Sequence, residues 1–137
     1  MTKRTEQETV LIAEDEGFVR RTMARMLEKE GYRVLEAKDG KEALQTVCRH
    51  EGPIHLLFTD VMMPEMNGRQ LADIARAIRP GLKVLYTSAY TDRMIVVRGV
   101  LEPGMAFIEK SFTPERLSRK VREVIDGVPT PPVSAPA

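Results

Sequence analysis

Tryptophan is absent from this 137-residue chain, and aromatic residues make up only 5% of it. A core of large rings is excluded, and the 8 methionines offer softer, more adaptable packing in its place. Cysteine occurs once, as Cys48. A lone thiol allows neither an internal disulfide nor a cysteine metal cluster. It reads as a small apolar residue of a cytoplasmic chain.

An excess of charge of one sign is also missing. Lys and Arg number 21 against 20 Asp and Glu, a formal net charge of +1. That balance gives no electrostatic footing for nucleic acid as a main partner. No apolar run approaches the roughly 18 residues of a membrane span. Met1 to Thr9 is polar and lacks the apolar centre of a secretion signal. What is present, 42% apolar and 30% charged residues, suits one soluble globular domain.

The two ends differ from the middle. Residues 1–9 carry charge without periodicity and read as a flexible arm. Residues 128–137 contain Pro129, Pro131, Pro132 and Pro136, which exclude a packed helix and mark a flexible tail. That tail is too short for a DNA-binding output domain. The compact domain is expected over residues 10–127.

Within it, short apolar runs alternate with longer amphipathic ones. Strands are expected at Val10–Ala13, Tyr32–Ala37, His55–Thr59, Lys83–Thr87 and Met105–Glu109. Helices are expected at Gly17–Glu30, Lys41–His50, Arg69–Ile78, Asp92–Leu101 and from Thr113 onward. In the third helix Leu71, Ile74, Ala75 and Ile78 are placed inward. Asp39-Gly40 reads as a turn, Gly31 as a helix stop and Thr113-Pro114 as an N-cap with proline in the first turn. The first, third and fourth strands are nearly continuous in apolar residues, as in a parallel sheet covered on both faces. The fold class is α/β, a doubly wound five-stranded parallel sheet. No GxGxxG or GxxxxGK[ST] occurs, which argues against a nucleotide site.

Sites in such folds lie at the carboxyl ends of the strands. Glu14 and Asp15 end the first strand and Asp60 the third. Where the first and third strands lie side by side, these carboxylates converge. Close acids repel and lose water unless a cation compensates, and oxygen ligands beside phosphate suit Mg²⁺. Acids also end strands merely to cap the next helix, as Asp15 or Glu16 could here. Ser88 at the end of the fourth strand and Lys110 at the end of the fifth complete the set: a hydroxyl donor and an ammonium suited to phosphate.

These residues occur in LIAED (Glu14, Asp15), FTDVMMPEMNG (Asp60), YTSAY (Ser88, Ala89) and FIEKSF (Phe107, Lys110). In them the chain resembles a receiver domain of two-component signalling, the phosphoacceptor half of a response regulator, over about Val10 to Ile125. It looks most like receivers attached to hybrid histidine kinases. The resemblance implies the flavodoxin-like fold with order 2-1-3-4-5. It also implies phosphorylation of Asp60 by a sensor histidine kinase or histidine phosphotransfer protein, with output by protein contact and a weak homodimer as a further association. It implies Mg²⁺ on Glu14, Asp15, Asp60 and the carbonyl of Met62, and phosphoryl contacts from Ser88 and Lys110. Ser88 and Phe107 would form a switch, and Ala89 would leave room beside the phosphate. Catalysis would be limited to the domain's own phosphorylation and slow dephosphorylation. On the first helix, the kinase contact is expected around Val19 and Met23.

The chain departs from the family in two respects: it is near neutral where many members are acidic, and it differs directly after the lysine. Lys110 precedes Ser111, where the family usually has proline after a cis bond. A trans path is the cheaper expectation, since a non-proline cis bond costs about 3 kcal/mol. Two rival readings remain: a degenerate receiver that only binds a partner, and a metal-dependent phosphatase. The second lacks the acid such enzymes need two residues after the nucleophile, where Met62 stands. Arg116, Arg119, Lys120 and Arg122 read as a solvated helix face.

Overall fold

The computed structural model describes residues 7–89, 101, 102 and 104–127. The helix expected over Asp92 to Leu101 and the proline-rich tail fall outside these residues, apart from Leu101, which is buried. The strands are β1 (Thr9–Ala13), β2 (Arg33–Ala37), β3 (Leu56–Asp60), β4 (Lys83–Ser88) and β5 (Phe107–Glu109). The described helices are α1 (Gly17–Lys29), α2 (Gly40–Arg49), α3 (Gly68–Ile78) and α4 (Pro114–Asp126). The sheet runs β2-β1-β3-β4-β5 with every neighbouring pair parallel.

Burial explains the order. All residues of β1 and β3 are buried, so these apolar runs hold the centre, while β2 is only partly covered at an edge. Side chains alternate between two cores. Leu11, Leu57 and Tyr86 face Val47 of α2 and Leu71 of α3. Ile12, Phe58 and Leu85 face Leu27 of α1 and Val121 of α4. Helices thus cover both faces, as right-handed crossovers require.

Caps place the helices at the strand ends. Asp39 caps α2 by accepting from the Glu42 amide, so Asp39-Gly40 is a helix start rather than a free turn. Asn67 and Gln70 form a reciprocal capping box on α3. Thr113 caps α4 ahead of Pro114. Gly31 and Gly127 follow α1 and α4 with φ of 96° and 74°, the left-handed stop that glycine favours.

Several sequence expectations need correction. Ile74 and Ile78 are each 43% exposed, because the inward stripe of α3 runs through Leu71, Ala72 and Ala75. Cys48 is exposed, on the outer side of α2 from Ala43 and Val47. Met23 is buried in the inward stripe of α1, and Val19 packs partly against it, so a docking surface there cannot centre on Met23. Neither Asp15 nor Glu16 caps α1 by its side chain. β5 begins at Phe107, two residues later than expected. The Lys110–Ser111 bond is trans, as are all peptide bonds among the described residues.

Candidate functional site

The register builds the site. Ala13 lies beside Thr59, so the next residues, Glu14 and Asp60, are neighbours at the carboxyl edge. Asp60 pairs in register with Thr87, and Thr87 with Ile108. Glu14, Asp60, Thr87 and Ile108 therefore form one row on the α1–α4 face. Lys110, two residues past Ile108, reaches back across β4 to the acids. Its Nζ lies 2.9 Å from Asp60 Oδ2 and 2.8 Å from Glu14 Oε1.

Each carboxylate has a second anchor. The Met62 amide donates to Asp60 Oδ1 at 3.2 Å. The Glu16 amide donates to Glu14 Oε2 at 3.0 Å. Arg20 of α1 donates from Nη1 to the Glu14 carbonyl at 2.8 Å, and its Nε donates to Glu36 at 3.2 Å. Below the site, the Val61 amide donates to the Thr87 carbonyl and the Lys110 amide to the Ser88 carbonyl. These bonds tie the ends of β3, β4 and β5 together. Sequence reading missed Arg20, since an arginine in a helix looks like surface charge until its partners are known.

Asp60 is 4% exposed and Glu14 is fully buried, whereas Asp15 is exposed. One oxygen of each lies within 4.8 Å of the others. Burial pushes the Asp60 and Glu14 carboxyls above their usual range, against the opposing pull of Lys110. Burial pulls Lys110 down, but its bonds to Glu14 and Asp60 outweigh this and raise it. Two of the three acids, Glu14 and Asp60, thus share one ammonium, and among the described residues Glu14 Oε1 is buried with that ion pair but no well-directed hydrogen bond. An all-oxygen set with excess negative charge and an under-satisfied buried oxygen fits a hard divalent cation such as Mg²⁺.

Other expected residues lie nearby. Ser88 is buried at the end of β4 on the opposite sheet face from Thr87, and Ala89 follows it exposed. Phe107 shares the Ser88 face on β5, half-buried against the core formed with α2 and α3. Met62 exposes its side chain while its amide serves Asp60. The chain then loops through Glu65, held at φ 68°, and returns to the site at Gly68, whose amide donates to the Val61 carbonyl at 2.9 Å.

This sheet order, with acids at the ends of its central strands and a lysine bridging them, defines a signalling module that takes a phosphoryl group. The model of the response regulator receiver domain family matches residues 10–122, and the chain belongs to that family. It is 33% identical over 118 residues to the sensor kinase CckA of Brucella abortus strain 2308, covering 86% of this chain and 12% of that kinase. The solved receiver domain of the hybrid histidine kinase CckA shares 35% identity, with a TM-score of 0.72 over 85% of this chain and 98% of that one. The response regulator TrrA of Thermotoga maritima, solved with Mg²⁺-BeF, shares 26% identity with a TM-score of 0.72 over 86% of this chain and 99% of that one. The chain is a phosphoacceptor receiver domain whose acidic cluster resembles Mg²⁺-binding receiver sites. No described helix is long and apolar enough to cross a membrane.

Proposed function

We propose that Asp60 is the phosphoryl acceptor and that the donor is a phosphohistidine on a sensor kinase or a histidine phosphotransfer protein. The observation that carries this is the Asp60 carboxylate itself. It is buried, fixed by the Met62 amide and Lys110, and within 4.8 Å of two further acids. An Asp60 oxygen forms a bond to phosphorus as the P–N bond breaks. The histidine nitrogen keeps the electron pair and takes a proton from solvent. Lys110 and Ser88 meet the charge on the phosphoryl oxygens. Glu14, Asp15, Asp60 and the Met62 carbonyl are the residues that would hold Mg²⁺, which supplies neutralising charge when bound. Attack of water on phosphorus later returns the Asp60 carboxylate and inorganic phosphate.

The phosphoryl group brings roughly 1.5 to 2 negative charges at neutral pH. Ser88 and Phe107, on one sheet face, transmit that change to a protein-contact surface. The setting is cytoplasmic, and the output is a downstream protein or a further relay step rather than nucleic acid.

Intact mass after incubation with acetyl phosphate tests the reading. The wild type gains one phosphoryl group when Mg²⁺ is present, and Asp60→Ala gains none. Equal labelling of both proteins would remove Asp60 from the chemistry. Mg²⁺ binding without labelling from acetyl phosphate or a cognate phosphohistidine would favour a binding-only receiver.

A further inference from the structure

Thr87 is 1% exposed, and its hydroxyl oxygen has no hydrogen-bond partner among the described residues. An unpaired buried hydroxyl is destabilising, and valine would fill the same space without that penalty. Packing alone does not account for a threonine here.

Its location does. Thr87 pairs in register with Asp60, so the two side chains share one sheet face on adjacent strands. It follows Leu85 by two residues as Asp60 follows Phe58, and both of those face α1 and α4. To reach Asp60 from β5, Lys110 must cross β4, the strand that carries Thr87. In the unmodified site Asp60 Oδ1 accepts from the Met62 amide and Oδ2 from Lys110. The hydroxyl beside them is left out.

We propose that the Thr87 hydroxyl is the hydrogen-bond donor to the phosphorylated form of Asp60, filling the place that Lys110 vacates. This rests on the reading of Asp60 as acceptor. Phosphorylation turns the carboxylate into a neutral acyl group and moves the negative charge to the phosphoryl oxygens. The Lys110 ammonium follows that charge, since its bond to a charged oxygen is the stronger one. The carboxyl oxygen left behind is a buried acceptor next to an idle donor. No covalent bond to Thr87 is made or broken. The hydroxyl favours the modified state because it has no partner in the unmodified one.

Thr87→Val and Thr87→Ser test this in the full chain. The equilibrium probe is beryllofluoride with Mg²⁺, titrated by calorimetry, with Mg²⁺ alone as control and wild-type labelling by acetyl phosphate run alongside. Thr87→Val is expected to bind beryllofluoride about two- to tenfold more weakly, the range of one net hydrogen bond. Thr87→Ser should bind like the wild type, and Mg²⁺ affinity should not change. Without the probe, Thr87→Val should unfold at the wild-type temperature or above it. A merely structural hydroxyl would instead lower that temperature and leave the probe's affinity alone, and this result would overturn the proposal. If the wild type labels at Asp60 yet Thr87→Val binds the probe as tightly, this inference falls and the functional reading stands. A wild type that neither labels nor binds overturns both.

Discussion

Gly68 stands against the backbone of Asp60: a Cβ on Gly68 would lie 2.2 Å from the Asp60 carbonyl oxygen. The obstacle is main chain, so no side chain can swing aside. Gly68 opens α3 and bonds to Val61, which brings the loop after Asp60 back under the acceptor. Gly68→Ala must push α3 and the end of β3 apart. The expected cost is about 2–4 kcal/mol in urea unfolding, with a parallel loss of acetyl phosphate labelling. Stability within about 0.5 kcal/mol of wild type would mean the loop yields more easily than this contact requires.

Asp60 weakens the fold that carries it. Burial raises its carboxyl above the usual range. A raised acid contributes stability below its unfolded pKa and loses it as pH rises through the folded value. At neutral pH the ionised Asp60 is therefore unfavourable. Asp60→Asn removes that charge and leaves Lys110 paired with Glu14. In EDTA at pH 7 the variant should be more stable by about 1 kcal/mol or more. The gap should shrink as pH falls through the raised folded value and close near the ordinary carboxylate value of about 4, below which Asp60 is protonated in both states. A gap constant with pH would assign the gain to packing rather than charge.

The architecture was readable because hydrophobic period and turn chemistry agree along the chain. β1 and β3 are uninterrupted apolar runs, and Thr113-Pro114 and Gly31 mark helix limits that the backbone confirms. The strand order came from resemblance to known folds, since periodicity says nothing about which strands are neighbours. Glu14, Asp15, Asp60 and Lys110 were readable because each sits at a strand end. Long-range partners were not. Arg20 holds the Glu14 carbonyl only once α1 folds back over β1, and the constraint on Gly68 comes from main chain eight residues earlier. Ile74 and Ile78 were misplaced because period alone cannot tell the centre of a helix stripe from its margin when alanines occupy the centre.

Arg122 is more than a solvated charge. It grips Glu8 with both terminal nitrogens, at 2.7 and 2.9 Å, and also bonds to Asp126 of its own helix. The Glu8 and Asp126 bonds raise its pKa further. The grip ties α4 to the residue before β1, at the end of the molecule away from the acids. Its side chain is 33% exposed, so solvent screens the pair. Arg122→Ala should cost about 1 kcal/mol at low salt and less at 1 M NaCl. Arg122→Lys should recover only part, because an ammonium cannot match both carboxylate oxygens. Acetyl phosphate labelling should be unchanged in both variants.

Phe18 is 84% exposed in the first turn of α1, three residues after Asp15. The inward side of this helix is filled by Met23, Ala24 and Leu27, so the ring has no role in the core. A single exposed apolar residue is ordinary, but this one stands at the rim of the acid cluster, where a protein carrying phosphohistidine must approach. Phe18→Ala should leave thermal stability and acetyl phosphate labelling unchanged. Transfer from a cognate phosphohistidine protein should slow by roughly five- to tenfold, as expected when a contact of about 1 kcal/mol or slightly more is lost. Equal slowing with both donors would assign Phe18 to the chemistry, and no slowing with either would move the docking face off this end of α1.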